Sequence, residues 1–369
     1  MREYLLVLLA SAAITYVTVP VVRWYAVRWK VMAEIRDRDV HDIPIPRLGG
    51  VAMYLGFLGG MLVASQLGFV STVFSESRDA WAVITGGTLI FLVGVVDDIW
   101  GLDALTKAAG QIIAAGVMVL QGVQLLWLPF NGVTVLDYNT SVILTVLLIV
   151  VTVNAINFVD GLDGLAAGII GIGSLAFFAF AYLLSVEHGI DRATTAALLS
   201  AVLAGLCAGF LPHNFNPARI FMGDSGSMLA GLLLSASVIT LTGKIDPYSV
   251  RNAALLPALM PLLLPFAILA VPLIDLLLAV VRRTRARRSP FAPDKQHLHH
   301  RLLEIGHSQR QAVLIMYLWA GALAVGAATA AFAGVKAGLL AGFALLLVAI
   351  VMRRRPVRAI RPAGVEEAK

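Results

Sequence analysis

The sequence predicts an all-α polytopic membrane protein of about eleven transmembrane helices, and three observations carry that expectation. Of its 369 residues, 59% are hydrophobic and only 14% charged, with a mean hydropathy of +0.86. Ordinary soluble domains are about 45–50% apolar and about 25% charged. Apolar windows of roughly 20 residues, enough to cross a hydrocarbon core of about 30 Å, recur along the whole chain. Charge alternates with them: if the first span enters from outside, the inner segments hold 22 of the 28 Lys and Arg residues. That asymmetry puts the N-terminus outside and the C-terminus in the cytoplasm of a multi-pass cell-membrane protein. The basic balance therefore reports topology and calls for no nucleic-acid partner.

The windows are residues 4–22, 48–69, 81–96, 104–126, 141–153, 165–186, 194–211, 227–241, 253–281, 312–332 and 335–352. The first reads as a permanent anchor, because its basic cluster (Arg23, Arg28, Lys30) follows the apolar run, whereas in a signal peptide it precedes the run. The second, sixth and seventh are rich in Gly and Ala, which lets helices approach closely, and Gly56, Gly59 and Gly60 read as packing contacts. Between the fourth and fifth, Val123 to Asp137 alternates around Asn131-Gly132, a two-residue turn signal for a small outer β-hairpin. The ninth window carries Pro257, Pro261, Pro265 and Pro272 and is too long and too interrupted for one straight span, so a kinked or broken helix is expected. Whether that bend is a tolerated kink or one wall of a lipid groove stays open. The single cysteine, Cys207, reads as a small buried apolar residue. The expected organisation is one transmembrane catalytic domain over residues 1–352 and a basic cytoplasmic tail over 353–369.

Polar residues inside a bundle are costly and mark function, and here they gather at one membrane face. The inner segments 23–47, 97–107, 154–164, 212–226 and 282–311 hold the unusual motifs. Asp97 and Asp98 close the third span. Side chains of adjacent helical residues diverge by about 100°, so the pair need not bind one ion, and a solvated span end is the plain alternative. Asn154, Asn157 and Asp160 fall at i, i+3 steps with Asp163 continuing the row, if the run is helical throughout. The repeated Asp-Gly equally allows a helix ending near Asp160. Such oxygen ligands suit a hard cation such as Mg²⁺, or hydrogen bonds to a sugar or base.

Phe221 to Ser227 contains Asp224 and Ser225 between glycines, with Arg219 nearby. Both are good N-cap residues, while a helix start with free N–H groups also favours phosphate. In the last inner segment His297, His299 and His300 stand beside Arg301. They make a poor zinc site, lacking cysteines and metalloprotease spacing, and a sensible donor set for a diphosphate. Asp275, about two turns before Arg282, reads as ion-paired structure at least as readily as catalysis.

At these motifs the sequence resembles the polyprenyl-phosphate N-acetylhexosamine-1-phosphate transferases, the superfamily that includes WecA, TagO and MraY. The resemblance runs from Arg36 to Leu303. It is carried by Pro46-Arg47-Leu48-Gly49-Gly50, Val96-Asp97-Asp98 with Lys107 and Gln111, Asn157 to Leu165, Phe221 to Ser227, and Ser289-Pro290-Phe291 with Asp294 and His297-Leu298-His299-His300. It implies transfer of a sugar 1-phosphate from a UDP-sugar to a membrane polyprenyl phosphate, with release of UMP and a need for Mg²⁺, Mn²⁺ being an acceptable substitute. By the same resemblance Asp224 is the metal ligand, and Asp97 and Asp98 serve the lipid phosphate and proton handling. Asn157, Asp160 and Asp163 meet the nucleotide or support the site, and the histidine loop meets the donor's diphosphate and sugar. Arg47, Lys107, Asn154, Arg219 and Arg301 are assigned to substrate binding. The His-Leu-His-His pattern after Ser-Pro-Phe, and eleven spans, resemble the WecA and TagO branch and imply UDP-GlcNAc as donor, in the first membrane step of a cell-envelope glycopolymer. Another UDP-N-acetylhexosamine, or a UDP-MurNAc-pentapeptide as in MraY, is the alternative donor. Membrane lipids are expected partners, and self-association into a homodimer is left open.

Two readings from other classes compete. Intramembrane carboxylates and a broken helix also occur in ion-coupled transporters, but those place sites near the midplane and often repeat their halves. A non-catalytic lipid scaffold would need neither the aspartate motifs nor the histidine loop.

Overall fold

A computed structural model describes residues 1–32, 44–75, 77–128, 134–188, 193–242 and 302–353, with isolated positions between 263 and 285. Its elements are α1 (Arg2–Arg28), α2 (Gly49–Ser65), the single turn α3 (Thr72–Ser75), α4 (Asp79–Trp100) and α5 (Ala104–Leu120). Strands β1 (Trp127–Leu128) and β2 (Thr134–Val135) precede α6 (Tyr138–Val159), α7 (Leu165–His188), α8 (Thr194–Asn214) and α9 (Gly223–Thr242). The last two helices are α10 (Gln309–Ala333) and α11 (Val335–Arg353).

Among the described residues eight helices are long and apolar enough to cross a membrane, and α2 and α5 are shorter apolar helices of 17 residues each. The protein is thus an all-α polytopic membrane protein. Ten of the eleven apolar windows coincide with described helices. The ninth, with its prolines, lies almost wholly outside the described residues.

Start and stop chemistry follows the sequence closely where polar residues flank the apolar runs. Asp103 caps α5 by accepting from the N–H groups of Leu105 and Thr106, and Asp137 caps α6 by accepting from that of Thr140. Ser308 and Gln311 form a reciprocal capping box at α10. The strands pair antiparallel with Trp127 opposite Val135 and Leu128 opposite Thr134. A two-residue turn at Asn131-Gly132 would instead set Leu128 opposite Val135, so the register is displaced by one residue from that expectation. The connecting residues 129–133 lie outside the described residues.

Packing is organised around α9. Every residue of its apolar window is buried, and α4, α6, α8 and α2 surround it. α10 and α11 pack as a pair, and α7 joins α10 to the rest. α11 buries little of its surface and exposes Leu339, Leu340 and Phe343, as expected where lipid replaces water. Gly56 and Gly60 do serve as close-packing positions: a Cβ on either would meet the hydroxyl of Thr15 or Ser11 on α1 at 2.0 Å.

The helices alternate so that one end of the bundle collects the C-termini of α1, α4, α6 and α8 and the N-termini of α2, α5, α7, α9 and α10. At this end two sequence motifs dock through their backbones. The N–H groups of Gly49 and Gly50 donate to the carbonyls of Phe221 and Met222 at 3.0 and 2.8 Å, and the Phe221 N–H donates to the Pro46 carbonyl at 2.9 Å. The contact is so close that a Cβ on Gly50 would lie 2.1 Å from the Gly226 nitrogen. Overfilling a packed contact costs about 1–3 kcal/mol, whereas Gly to Ala in an open helix interior gains about 0.5–1 kcal/mol. Gly50→Ala should therefore lower the thermal unfolding midpoint in detergent, while Gly116→Ala, with open space around the added methyl, should leave it unchanged or raise it. Equal midpoints for the two variants would contradict this packing.

Candidate active site

Four helices deliver the polar centre. The last turns of α4 bring Asp97 and Asp98, the first turn of α5 brings Lys107, the last turns of α6 bring Asn154 and Asn157, and the start of α9 brings Asp224. Lys107 Nζ donates to Asp97 Oδ2 and to Asp224 Oδ2, both at 2.7 Å. Asn157 Nδ2 donates to Asp224 Oδ1 and, at 2.9 Å, to Ser227 Oγ. Asp97 is fixed from its other oxygen by the Leu102 N–H at 2.6 Å. The result is a chain of contacts Leu102–Asp97–Lys107–Asp224–Asn157 running across four helix ends.

The two adjacent aspartates do different work, as their divergence around the helix requires. Asp98 turns to α9, where Oδ1 accepts from the Asp224 N–H at 2.8 Å and Oδ2 accepts from the Ser225 N–H at 3.0 Å and the Ser225 hydroxyl at 2.6 Å. The first turn of α9 is therefore capped by a residue of α4. The expectation that Asp224 or Ser225 supplies that cap is corrected, and these two leading N–H groups are already taken by a carboxylate rather than open to a phosphate. Freed from capping, the Asp224 carboxylate points to Lys107 and Asn157. Gly223 makes this approach feasible: it sits at φ +70°, and a Cβ there would meet the Asp98 carboxylate at 2.6 Å.

The run from Asn154 resolves into a helix that ends at Val159, with Asp160 as its C-cap. Asn154 and Asn157 share the helix row, and Asn154 Nδ2 donates to the buried Gln111 Oε1 at 2.6 Å. Asp160 lies just beyond. Its carboxyl takes no hydrogen bond among the described residues, and burial, then the nearby Asp224 and Asp98 carboxylates, push it up to about 7 despite partial exposure. Asp163 leaves the row. It is almost fully buried, and its Oδ2 accepts from Asn216 Nδ2 and the Ala218 N–H, both at 3.0 Å. This ties the α6–α7 turn to the segment after α8, which Asn214 also binds by accepting from the Gly164 N–H and donating to the Ile220 carbonyl.

Arg47 lies close enough to Asp160 to oppose the rise in its pKa. Arg219 is exposed beside Arg310 on a separate cleft. His297, His299, His300 and Arg301 lie outside the described residues, as does Asp275. Sequence reasoning did not single out the support residues Asn216 and Tyr317, whose hydroxyl donates to the Gly164 carbonyl, and it read Ser225 as a helix cap without its contact to Asp98. Asn216-Pro217 carries a turn signal, but Tyr317 has no signal apart from its contact.

Four carboxylates (Asp97, Asp98, Asp160 and Asp224) meet here against Lys107 and Arg47, an excess of negative charge. Asp98 is saturated by the start of α9, while Asp224 and Asp160 keep unshared lone pairs. Among the described residues no three His, Cys, Asp or Glu side chains form a ready cage for a metal. That donor set fits a magnesium-like ion, which takes one or two carboxylates and completes its shell with water and substrate phosphates.

A bundle of apolar helices with an aspartate–lysine centre at one end defines a membrane-embedded protein built around charged chemistry. Residues 80–242, which contain every one of these acidic residues, match the family model described as glycosyl transferase family 4, and the chain belongs to that family, in the branch of polyprenyl-phosphate N-acetylglucosamine-1-phosphate transferases. It is 49% identical to the decaprenyl-phosphate N-acetylglucosaminephosphotransferase of Mycolicibacterium smegmatis over 100% of this chain and 92% of that protein. The protein of the same name from Mycobacterium tuberculosis is 51% identical over 90% of this chain and 83% of its own. A probable undecaprenyl-phosphate N-acetylglucosaminyl 1-phosphate transferase of Bacillus subtilis is 32% identical over 84% and 80%.

The unequal aspartates can be separated by substitution. A buried hydrogen bond to a charged group contributes about 1.5–3 kcal/mol, so Asp98→Asn, which replaces one acceptor by a donor facing Ser225, should lower the unfolding midpoint in detergent by several degrees. Asp97→Asn should shift it much less while lowering turnover. Equal and small shifts in both would show that Asp98 does not hold α9.

Proposed function

We propose that this chain transfers GlcNAc 1-phosphate from UDP-GlcNAc to a membrane polyprenyl phosphate on the cytoplasmic face, giving polyprenyl-diphosphate-GlcNAc and UMP. The observation that carries the reading is the Asp97–Lys107–Asp224–Asn157 chain at one end of an apolar bundle. Relatives at 49% and 51% identity, each named a decaprenyl-phosphate N-acetylglucosaminephosphotransferase, support a prenyl-phosphate acceptor and GlcNAc as the sugar. Basic residues support a cytoplasmic site: Arg23, Arg28, Lys30, Arg47, Arg219, Arg310 and Arg353 belong to the site end, whereas Arg2, Arg78 and Lys336 belong to the opposite end.

In the reaction an oxygen of the lipid phosphate forms a bond to the β-phosphorus of UDP-GlcNAc, and the bond from that phosphorus to the bridging oxygen breaks, with the electron pair leaving on UMP. The difficulty is electrostatic, because two anions meet and charge shifts to the leaving phosphate. Lys107 holds Asp97 and Asp224 in one orientation and leaves its third N–H for a phosphate oxygen. Asn157 locks the second Asp224 oxygen. A phosphomonoester is already largely dianionic at pH 7, its second pKa being near 6, so Asp97 orients the acceptor or removes a residual proton and need not be a strong base. Asp224, with Asp160 beside it, would hold Mg²⁺, which when bound supplies positive charge to the diphosphate.

The test is UMP release by purified chain with Mg²⁺, decaprenyl phosphate and a panel of UDP-sugars. UDP-GlcNAc should be the preferred donor, chelation should stop release, and Asp224→Asn should lower it by at least roughly 100-fold while the protein stays monodisperse, the size of effect typical for a lost electrostatic stabiliser. Uptake of UDP-GlcNAc into proteoliposomes without UMP formation, or near-normal turnover by Asp224→Asn, would reject the reading.

A further inference from the structure

On the same end of the bundle, and lined by none of Asp97, Asp98, Asp160 and Asp224, a cleft of about 470 Å³ opens between the end of α8 and the start of α10. It is lined by the apolar Leu211, Pro212 and Phe215, by Asn216 and Pro217, and by the two cations Arg219 and Arg310. Arg23, near the end of α1, is not one of the lining residues but reaches the same segment, its Nε donating to the Arg219 carbonyl at 3.0 Å. Arg310 is held in the same manner, with Nε donating to the Asn216 carbonyl at 2.8 Å.

These two bonds fix Arg23 and Arg310 through Nε alone and leave the terminal N–H groups of each fork to another acceptor. All three arginines are exposed, and among the described residues none lies within ion-pair distance of a carboxylate. Asp163, itself buried, accepts from the Asn216 side-chain amide and from the Ala218 N–H, and so stiffens the 216–218 segment. Asn216 Nδ2 is also held by Gln309 Oε1 at 2.6 Å, which ties the segment to the start of α10. The cleft thus combines apolar lining with exposed cations at or beside it, two of which are held by backbone carbonyls.

We propose that this cleft binds the phosphodiester headgroup of an anionic membrane lipid, with the phosphate against Arg23, Arg219 and Arg310 and the lipid's apolar stem along Leu211, Pro212 and Phe215. Planar guanidinium forks match phosphate oxygens in pairs. The position favours a lipid over a free anion, because Leu211 and Pro212 belong to the last turn of a membrane-spanning helix, where headgroups lie. None of the residues lining the cleft belongs to the Asp97–Lys107–Asp224–Asn157 chain, so the proposal does not depend on the transferase reading.

The experiment is native mass spectrometry of the full chain, delipidated in detergent and titrated with dioleoyl phosphatidylglycerol or dioleoyl phosphatidylcholine. A basic residue near a lipid surface contributes about a fivefold change in affinity. The wild-type chain should prefer phosphatidylglycerol, and Arg23→Gln with Arg310→Gln should lower that preference by roughly 20–30-fold. Arg23→Lys with Arg310→Lys should retain most of it, and Arg2→Gln with Arg78→Gln, at the opposite end, should leave it intact. The proposal is overturned if the wild type shows no preference or the glutamine pair keeps it. It is also overturned if the lysine pair is as defective as the glutamine pair, which would make the arginines backbone clamps. Loss of lipid binding to millimolar inorganic phosphate would show a site for the free anion instead.

Discussion

An ionised carboxylate inside an apolar bundle is tolerable only when its lone pairs are filled, and Asp98 has its oxygens filled by the first turn of α9. Two backbone N–H groups and the Ser225 hydroxyl converge on it. A helix start buried without partners would be equally costly, so each side of the contact satisfies the other. The central helix of the bundle is thereby locked in height and rotation against α4. Gly223, Gly50 and Gly94 follow from the same lock, since a side chain at any of them would collide with Asp98, with the Gly226 backbone or with the Ser225 backbone.

Once α9 is held in this way, the geometry of the centre follows. Asp224 is the second residue of α9, and with its own N–H on Asp98 its carboxylate is left to face α5 and α6. Lys107 and Asn157 each occupy one of its oxygens. Asp97, one residue before Asp98, is turned toward α5 by the helical repeat and shares Lys107 with Asp224. A pair of neighbouring carboxylates on one helix therefore divides into one that builds the helix interface and one that joins the charged chain through Lys107. The remaining negative charge, on Asp160 and Asp224, is the part that suits a divalent ion and two phosphorylated substrates.

The fold class was legible because apolar windows and charge parity are coarse signals that bilayer thickness imposes on the whole chain. Helix ends were less legible: α4, α6 and α9 extend beyond their apolar windows, since Asp97, Asn157 and Asp224 sit inside helices where neighbouring helices satisfy them. Sequence placed Asp97, Asp98, Asn157 and Asp224 in one end of the bundle by parity. It did not reveal that Asp98 caps α9, because a cap supplied by another helix 126 residues away leaves no local pattern. The same holds for Asp163, whose spacing invited a shared helical row until Asp160 ended the helix. The hairpin was legible in its strands, but its register is not that of the two-residue turn.

The account stands or falls on whether Lys107 and Asp224 act as one unit. The most direct measurement is a double-mutant cycle on kcat/KM for UMP release, using Lys107→Gln, Asp224→Asn and the pair together. If the two side chains form one coupled centre, the double variant should be scarcely slower than the slower single variant. Losses that multiply would mean that the two residues act independently and that the charge chain across α4, α5, α6 and α9 is not the reactive centre.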